Sequence, residues 1–280
     1  MRQHSFNYYL KQWLSYAILV TVLILILIPI IWMVVSSLKK TEEMMAYPIK
    51  FFPKVPQWTN YVQVFTRTPF FQLAGRTSVL AFTAGVIGII TSAMGGYAFA
   101  RFDVKGNKIF FPFIIALLIV PGIVTLIPQF IVFTRLKLVN TYLPWYLGAL
   151  GASPYFIFMF RQFFFRFPQE IEEAAEIDGC NPLRTFWQIF LPNSLPVLAT
   201  AFIFSFSGIW GDYLTPILYL NDEKTLLAVK MAKAFVDPKG NPLLNVQLAA
   251  NLIFIIPLVV VFFLGQKYIM QGVVTSGLKG

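Results

Sequence analysis

The sequence contains one cysteine, Cys180, and one histidine, His4. A single cysteine excludes an intrachain disulfide framework and a cysteine-rich zinc cluster. A single histidine excludes catalysis or metal binding by several histidines. Charged residues are also scarce, at 12% of the chain, whereas a soluble domain carries about 25%. Hydrophobic residues make up 58% of the 280 positions, and 30 residues are phenylalanine. This composition indicates a lipid environment.

A phosphate-binding P-loop is also absent. The nearest string begins at Gly272, but its lysine is displaced by one position and no Ser or Thr follows it. We therefore expect no ATP hydrolysis, cofactor or metal in this chain, and no carboxylate pair or nucleophile set indicates an enzyme. The net charge of +10 is scattered along the chain. Nucleic-acid binding would need a basic stripe on a polar domain, so it is not expected.

Six apolar stretches are long enough to cross a bilayer as helices, which requires about 20 residues each. We predict an all-α, polytopic membrane protein with one domain over residues 1–280. The first stretch is too long for a signal-peptide core and lacks a small-residue cleavage pattern, so it is interpreted as a retained span. Pro144 and Pro154 interrupt the fourth. The predicted spans are residues 13–38, 77–100, 109–133, 142–160, 195–220 and 246–265.

Six spans place both termini on the same side of the membrane. The 22 basic residues divide almost equally between the two sides, so the positive-inside rule alone does not choose one. The short second loop carries Arg101, Lys105 and Lys108, which favours cytoplasmic termini.

Small residues recur at four-residue spacing in the second span. Such pairs let helix backbones approach closely in lipid. We therefore expect tight packing inside a bundle or against a partner subunit rather than a direct role in transport. The pairs are Ala81 with Gly85, Ala84 with Gly88, and Ser92 with Gly96.

The polar segment, residues 161–194, is predicted to form two short helices joined by a turn. Pro168 and the glutamates after it suit the first turn of a helix. Gly179 suits the end of that helix, and Asn181 with Pro182 suits the start of the next. The second helix carries apolar residues at the spacing of one helical face. These residues are Leu183, Phe186, Trp187, Phe190 and Leu191.

Two interpretations of the polar segment are open. It could lie on the membrane surface as an amphipathic helix, but such helices favour Lys and Arg on their polar face. The acidic first half and the small residues Ala174 and Ala175 favour docking against another protein.

Within this segment the spacing resembles the EAA-loop signature of ABC importer permease subunits. Glu173-Ala174-Ala175 is followed after three residues by Gly179, and after nine more by an Ile-x-Leu-Pro string. Asp178 fits the common form of the signature. Residues 209–216 and the tail from Gln266 to Gly280 resemble the carbohydrate-uptake, maltose-permease-type branch of the binding-protein-dependent transport inner-membrane component family.

The resemblance implies a permease that translocates a sugar across the cytoplasmic membrane of a bacterium, with both termini cytoplasmic. It implies four kinds of partner: a second homologous permease, two ATPase subunits that bind ATP and Mg, an extracytoplasmic solute-binding protein, and the sugar. The loop would sit in a cleft of an ATPase. Its implied coupling residues are Glu173, Ala174, Ala175, Asp178 and Gly179, with Ile189, Leu191 and Pro192 supporting the loop.

Polar and aromatic residues within the spans are the candidates for a solute path. Asp212 is the main one, although an ordinary solvated carboxylate near the outer face would explain it too. The weaker candidates are Gln129, Trp210, Tyr213 and Asn251. A stand-alone secondary transporter is the alternative function, for which internal repeats and ionisable residues near the membrane centre are typical. A non-transporting scaffold is a third, but it leaves the EAA spacing unexplained.

Overall fold

The computed structural model describes residues 6–103 and 105–277, so Arg2, His4 and the last three residues of the tail lie outside the described part. The predicted all-α class is confirmed for the described residues, which form fourteen α-helices, a π-helical turn at Phe186–Phe190 and a 3-10 turn at Pro192–Ser194. The α-helices are α1 (Phe6–Ser37), α2 (Thr41–Met44), α3 (Thr59–Arg67), α4 (Phe70–Arg101), α5 (Asn107–Leu117), α6 (Gly122–Arg135), α7 (Leu143–Leu150), α8 (Pro154–Phe164), α9 (Glu170–Ile177), α10 (Pro182–Thr185), α11 (Leu195–Trp210), α12 (Leu214–Tyr219), α13 (Leu227–Lys233) and α14 (Leu244–Gly277).

The chain divides into two compact units. The first comprises the chain up to Pro69 together with Met231–Ile255, and the second comprises Phe70–Lys230 together with the chain from Ile256 onward.

In the first unit, two buried asparagines hold the end of α1. The Asn60 side chain donates to the carbonyls of Ser37 (2.8 Å) and Lys39 (3.0 Å). The Asn245 side chain donates to the same Lys39 carbonyl (3.1 Å) and to Asn60 Oδ1 (3.2 Å). The last carbonyls of a helix have no partner within the helix, so these amides satisfy groups that would otherwise be buried unpaired.

In the second unit, α4 is the central helix and packs against α7, α8 and α11. At Gly96 the approach to α8 is so close that a Cβ would lie 2.5 Å from Phe160 Cβ and 2.9 Å from the Arg161 nitrogen. At Gly88 a Cβ would lie 3.6 Å from the Cα of Ala149 on α7. The expectation of tight helix packing at the small residues of α4 is confirmed within this one chain.

Four helical segments of the described chain are long and apolar enough to cross a membrane: Lys11–Ser37, Phe70–Arg101, Pro192–Trp210 and Leu244–Ile269. The pair α5 and α6 passes the same criterion together, but it bends by 99° at residues 118–121. The predicted third span is therefore not one continuous helix. Pro121 explains the break, because its ring disfavours helical backbone at the residue before it.

The fourth and fifth predicted spans are also interrupted. The fourth is divided into α7 and α8, and both Pro144 and Pro154 lie in the first turn of a helix rather than inside one. Between them Ala152 has a positive φ of 57°, which no α-helix accommodates. In the fifth predicted span, the first helix, α11, ends at Trp210, and α12 begins at Leu214. The Asp212 carboxylate lies just before α12 and accepts a hydrogen bond from the Thr215 N–H in its first turn (3.1 Å). Four or five spans are thus found by length and composition, and six remains a prediction.

Candidate functional site

The first half of the polar segment has the helix and the glycine turn expected from its sequence. Helix α9 carries Glu170, Glu172 and Glu173 in its first turn. Gly179, two residues past its end, has φ of 75°. The Gly179 N–H donates to the Glu176 carbonyl (2.9 Å), and the Cys180 N–H donates to the Ala175 carbonyl (2.9 Å). These bonds pair the last carbonyls of α9 in the manner of a glycine cap.

The second half departs from the single amphipathic helix that was predicted. Asn181 does cap α10, since its side chain accepts from the Arg184 N–H (2.8 Å). After one turn, however, the backbone changes to the π-helical and 3-10 turns, and the Leu191 N–H donates to the Phe186 carbonyl. The wider π turn displaces the side chains from one stripe. Only Phe186 and Phe190 are buried, whereas Leu183 and Trp187 are exposed and Leu191 is half-buried.

Only part of the motif lies on the outward face of α9. Ala174 is exposed and Ala175 is buried, so the two alanines of the motif do not share a face. Ile177, which the sequence analysis did not select, is 87% exposed and shares the outward face, since it lies three or four residues from Ala174 and Glu173. The exposed candidates are Glu173, Ala174, Asp178, Gly179 and Pro192, while Ile189 and Leu191 are half-buried.

The inward face of the polar segment is an aromatic cluster. Phe164, Phe186 and Phe190 are almost completely buried together with Tyr97 of α4. The Tyr97 ring lies 4.8 Å from that of Phe190 and 5.4 Å from that of Phe186, and Phe167 stacks on Phe190 at 4.9 Å. Aromatic pairs at these distances contribute beyond the area they bury. The segment is therefore packed on the bundle rather than free of it.

Two polar side chains of α4 also contact the segment. The Tyr97 hydroxyl donates to Glu172 Oε1 (3.3 Å). The Arg101 guanidinium donates from Nη2 to the Phe167 carbonyl (2.6 Å) and pairs through Nε with Glu172 Oε2 at 3.6 Å. It also lies 5.1 Å above the Phe190 ring. This contact was not predicted from the sequence, since Tyr97 and Glu172 are 75 positions apart and no local pattern joins them.

A cleft of about 560 Å³ lies elsewhere in the second unit. Two of the predicted solute-path residues line it, Gln129 of α6 and Asp212 between α11 and α12. Aromatic rings of Trp145 and Tyr219 form part of its wall. Further polar lining comes from Ser153, Ser205 and Thr215, and helix α4 contributes Ala84 and Gly88.

The other three solute-path candidates lie outside this cleft. Trp210 is fully buried and stacks on Phe206 at 5.7 Å. Tyr213 is exposed. Asn251 belongs to the first unit, where its side chain accepts from Gln247 Nε2 (3.1 Å). The structure thus places Gln129 and Asp212 on one cleft, whereas Trp210 and Tyr213 of the same unit do not line it.

The chain matches a known protein family over most of its length. The family model described as "Binding-protein-dependent transport system inner membrane component" matches residues 84–275. The chain belongs to this family. It is therefore an ABC importer permease subunit, a transport component rather than an enzyme. Family membership does not support the alternatives of a secondary transporter and a scaffold.

Named relatives resemble the permease over nearly its whole length. It is 30% identical to the arabinooligosaccharides transport system permease protein AraQ of Halalkalibacterium halodurans, over 90% of this chain and 91% of that protein. It is 33% identical to the sn-glycerol-3-phosphate transport system permease protein UgpE of Yersinia pestis, over 90% and 92%.

A solved structure shows the same fold. The permease superposes with a TM-score of 0.75 on a chain of a bacterial ABC transporter involved in the import of the acidic polysaccharide alginate. The match covers 96% of this chain and 99% of that one at 21% identity. This likeness concerns the fold alone.

Proposed function

We propose that this permease forms half of the path along which an ABC importer carries a sugar or sugar derivative across the cytoplasmic membrane of a bacterium. Arabinooligosaccharides, sn-glycerol-3-phosphate and alginate, which the relatives' and neighbour's descriptions name, all carry two or more hydroxyl groups. A second, homologous permease would form the other half, and an extracytoplasmic binding protein would deliver the solute.

The observation that carries this proposal is the two-sided polar segment. Its inward face is packed against the bundle, while Glu173, Ala174 and Ile177 are exposed, with none of the described residues covering them. Docking of another protein on this face would remove the apolar Ile177 side chain, which is 87% exposed, from water. We assign this face to a cleft on an ATPase subunit, one of two that bind ATP and Mg for the importer.

The membrane arrangement of the proposal is six crossings with both termini in the cytoplasm. The apolar window of Lys11–Ser37 is 0% buried within the chain, which supports lipid or the second permease as its surroundings. Labelling of single cysteines with a charged thiol reagent that does not cross the membrane tests the arrangement. A residue in the polar segment and one near the N-terminus should react only from the cytoplasmic side.

The cleft is the proposed solute path. The Asp212 carboxylate would accept hydrogen bonds from sugar hydroxyls, and the Gln129 amide would both donate and accept them. The aromatic wall at Trp145 and Tyr219 suits the apolar faces of sugar rings. Trp210 would support this region from the core. Tyr213 and Asn251 would contact the solute at other stages of its passage.

Reconstitution tests the function. The permease, its partner permease and the ATPases are placed in vesicles with the binding protein. Arabinooligosaccharides, glycerol 3-phosphate and alginate oligosaccharides serve as labelled probes. We expect uptake of at least one probe that requires ATP and the binding protein. Uptake by the single chain alone, driven by an ion gradient, would refute the proposal.

A further inference from the structure

The polar segment and the cleft share one helix of the permease. Tyr97 and Arg101 in the last turn of α4 contact the segment. Ala84 and Gly88 of the same helix line the cleft. At a rise of about 1.5 Å per residue, Gly88 and Arg101 are about 20 Å apart along the helix.

The contact at the segment end involves both halves of the segment. Glu172 on α9 receives the Tyr97 hydroxyl at one carboxylate oxygen and faces Arg101 Nε at the other. Phe186 and Phe190, which follow the glycine turn, pack on the Tyr97 ring, and the Arg101 guanidinium lies over Phe190. One pair of α4 residues therefore contacts the segment before and after its turn.

Charge and burial make this contact resistant to separation. The Arg101 side chain is 7% exposed and that of Glu172 is 24% exposed, so water screens their attraction less than on an open surface. Arg101 also ends α4, where the helix dipole favours a positive charge. Pulling α9 away from α4 would separate this ion pair and uncover the aromatic rings packed beside it, and both changes are unfavourable.

Between the segment contact and the cleft, close packing connects α4 to its neighbours. Gly96 permits direct contact with the backbone of α8, and Gly88 approaches Ala149 of α7. Interiors packed at this density have low compressibility and transmit displacement. A shift of α4 must therefore be followed by the helices that line the cleft.

We infer that Tyr97 and Arg101 are positioning residues that join α9 to α4, and that α4 carries the ATP-driven movement of the polar segment to the cleft. This inference rests on the proposed function, in which an ATPase moves the segment. It differs from transmission along the chain through the 3-10 turn at Pro192–Ser194 into α11, which needs neither Tyr97 nor Arg101.

Substitutions at the ion pair test the inference in the complete importer. We would measure solute uptake and ATP hydrolysis in the same vesicles for Arg101→Gln and Glu172→Gln. Uptake per ATP hydrolysed should fall by about tenfold, within the usual range of coupling energies between sites. Asp103→Asn is the control, since it removes an acidic charge from an exposed position outside the polar segment, two residues past Arg101, and it should keep the wild-type ratio.

Rescue separates transmission from folding. The exchanged pair Arg101→Glu with Glu172→Arg should recover part of the lost ratio, although the bond to the Phe167 carbonyl stays lost. If both single variants keep the wild-type uptake per ATP, however much their total activity changes, the residues only hold the fold and the inference is wrong.

A milder variant decides the matter if the charge variants fail to assemble. Tyr97→Phe keeps the ring packing and removes only the hydroxyl bond to Glu172. A lower uptake per ATP in this variant supports the inference, and an unchanged ratio overturns it. If the wild-type importer itself shows no ATP-driven uptake, the proposed function fails and this inference fails with it.

Discussion

Gly179 offers the sharpest test of the polar segment, because the effect of its backbone conformation and the effect of the space around it can be measured separately. Its φ of 75° lies in the left-handed region, which costs a residue with a side chain about 1–2 kcal/mol. A Cβ added there would meet no atom within 4 Å in the part of the chain that the structure describes. In the permease without its ATPases, replacing Gly179 with alanine or with leucine should therefore lower the stability of the turn to the same extent. Asparagine tolerates this conformation and should lower the stability less.

Side-chain size at Gly179 should matter only where something docks. We would compare Gly179→Asn, Gly179→Ala and Gly179→Leu in the two-permease complex before and after the ATPases are added. Before addition, hydrogen exchange in α9 should rise equally for alanine and leucine, by about tenfold per 1.4 kcal/mol. After addition, ATP-driven uptake should fall more for leucine than for alanine, because the larger side chain obstructs docking.

Two results would refute this reasoning. A difference between alanine and leucine before the ATPases are added would mean that the space around Gly179 is not open. Wild-type uptake by the leucine variant would mean that this face of the segment contacts no ATPase.

Three further predictions concern the rest of the molecule. Gly96→Ala should lower the stability of the permease by about 1–3 kcal/mol through overpacking against α8. Gly75→Ala on the same helix should not, because a Cβ at Gly75 has open space. Thermal unfolding of the purified complex compares the two variants. Asn60→Ala should cost about 1–3 kcal/mol, because the Ser37 and Lys39 carbonyls lose a donor, and the same measurement checks it. Asp212→Asn keeps an acceptor for the start of α12 but removes the charge. Since hydrogen bonds to a charged group are about twice as strong, we expect uptake to fall by about threefold to tenfold while the complex assembles normally. Uptake equal to that of the wild type would exclude Asp212 from the solute path.

Features set by a few neighbouring residues were predictable. Gly179 adopts the left-handed turn because glycine lacks a Cβ, and Asn181 caps α10 with its own side chain, so both follow from local chemistry. Long apolar runs predicted α1, α4 and α14, since a helix that spans lipid must be apolar along its length. Breaks were less predictable. Pro121 marks one, but the positive φ of Ala152 has no signal in its own side chain.

The sequence by itself determined the class of this protein, its helical nature and the glycine turn at Gly179, because composition, hydropathy and capping act over short stretches of chain. Only the tertiary structure decided that Ala175 turns inward while Ala174 and Ile177 face out, and that Tyr97 and Arg101 meet Glu172. Those contacts join residues far apart in the chain, and their energies depend on burial and distance, which arise only when the helices pack.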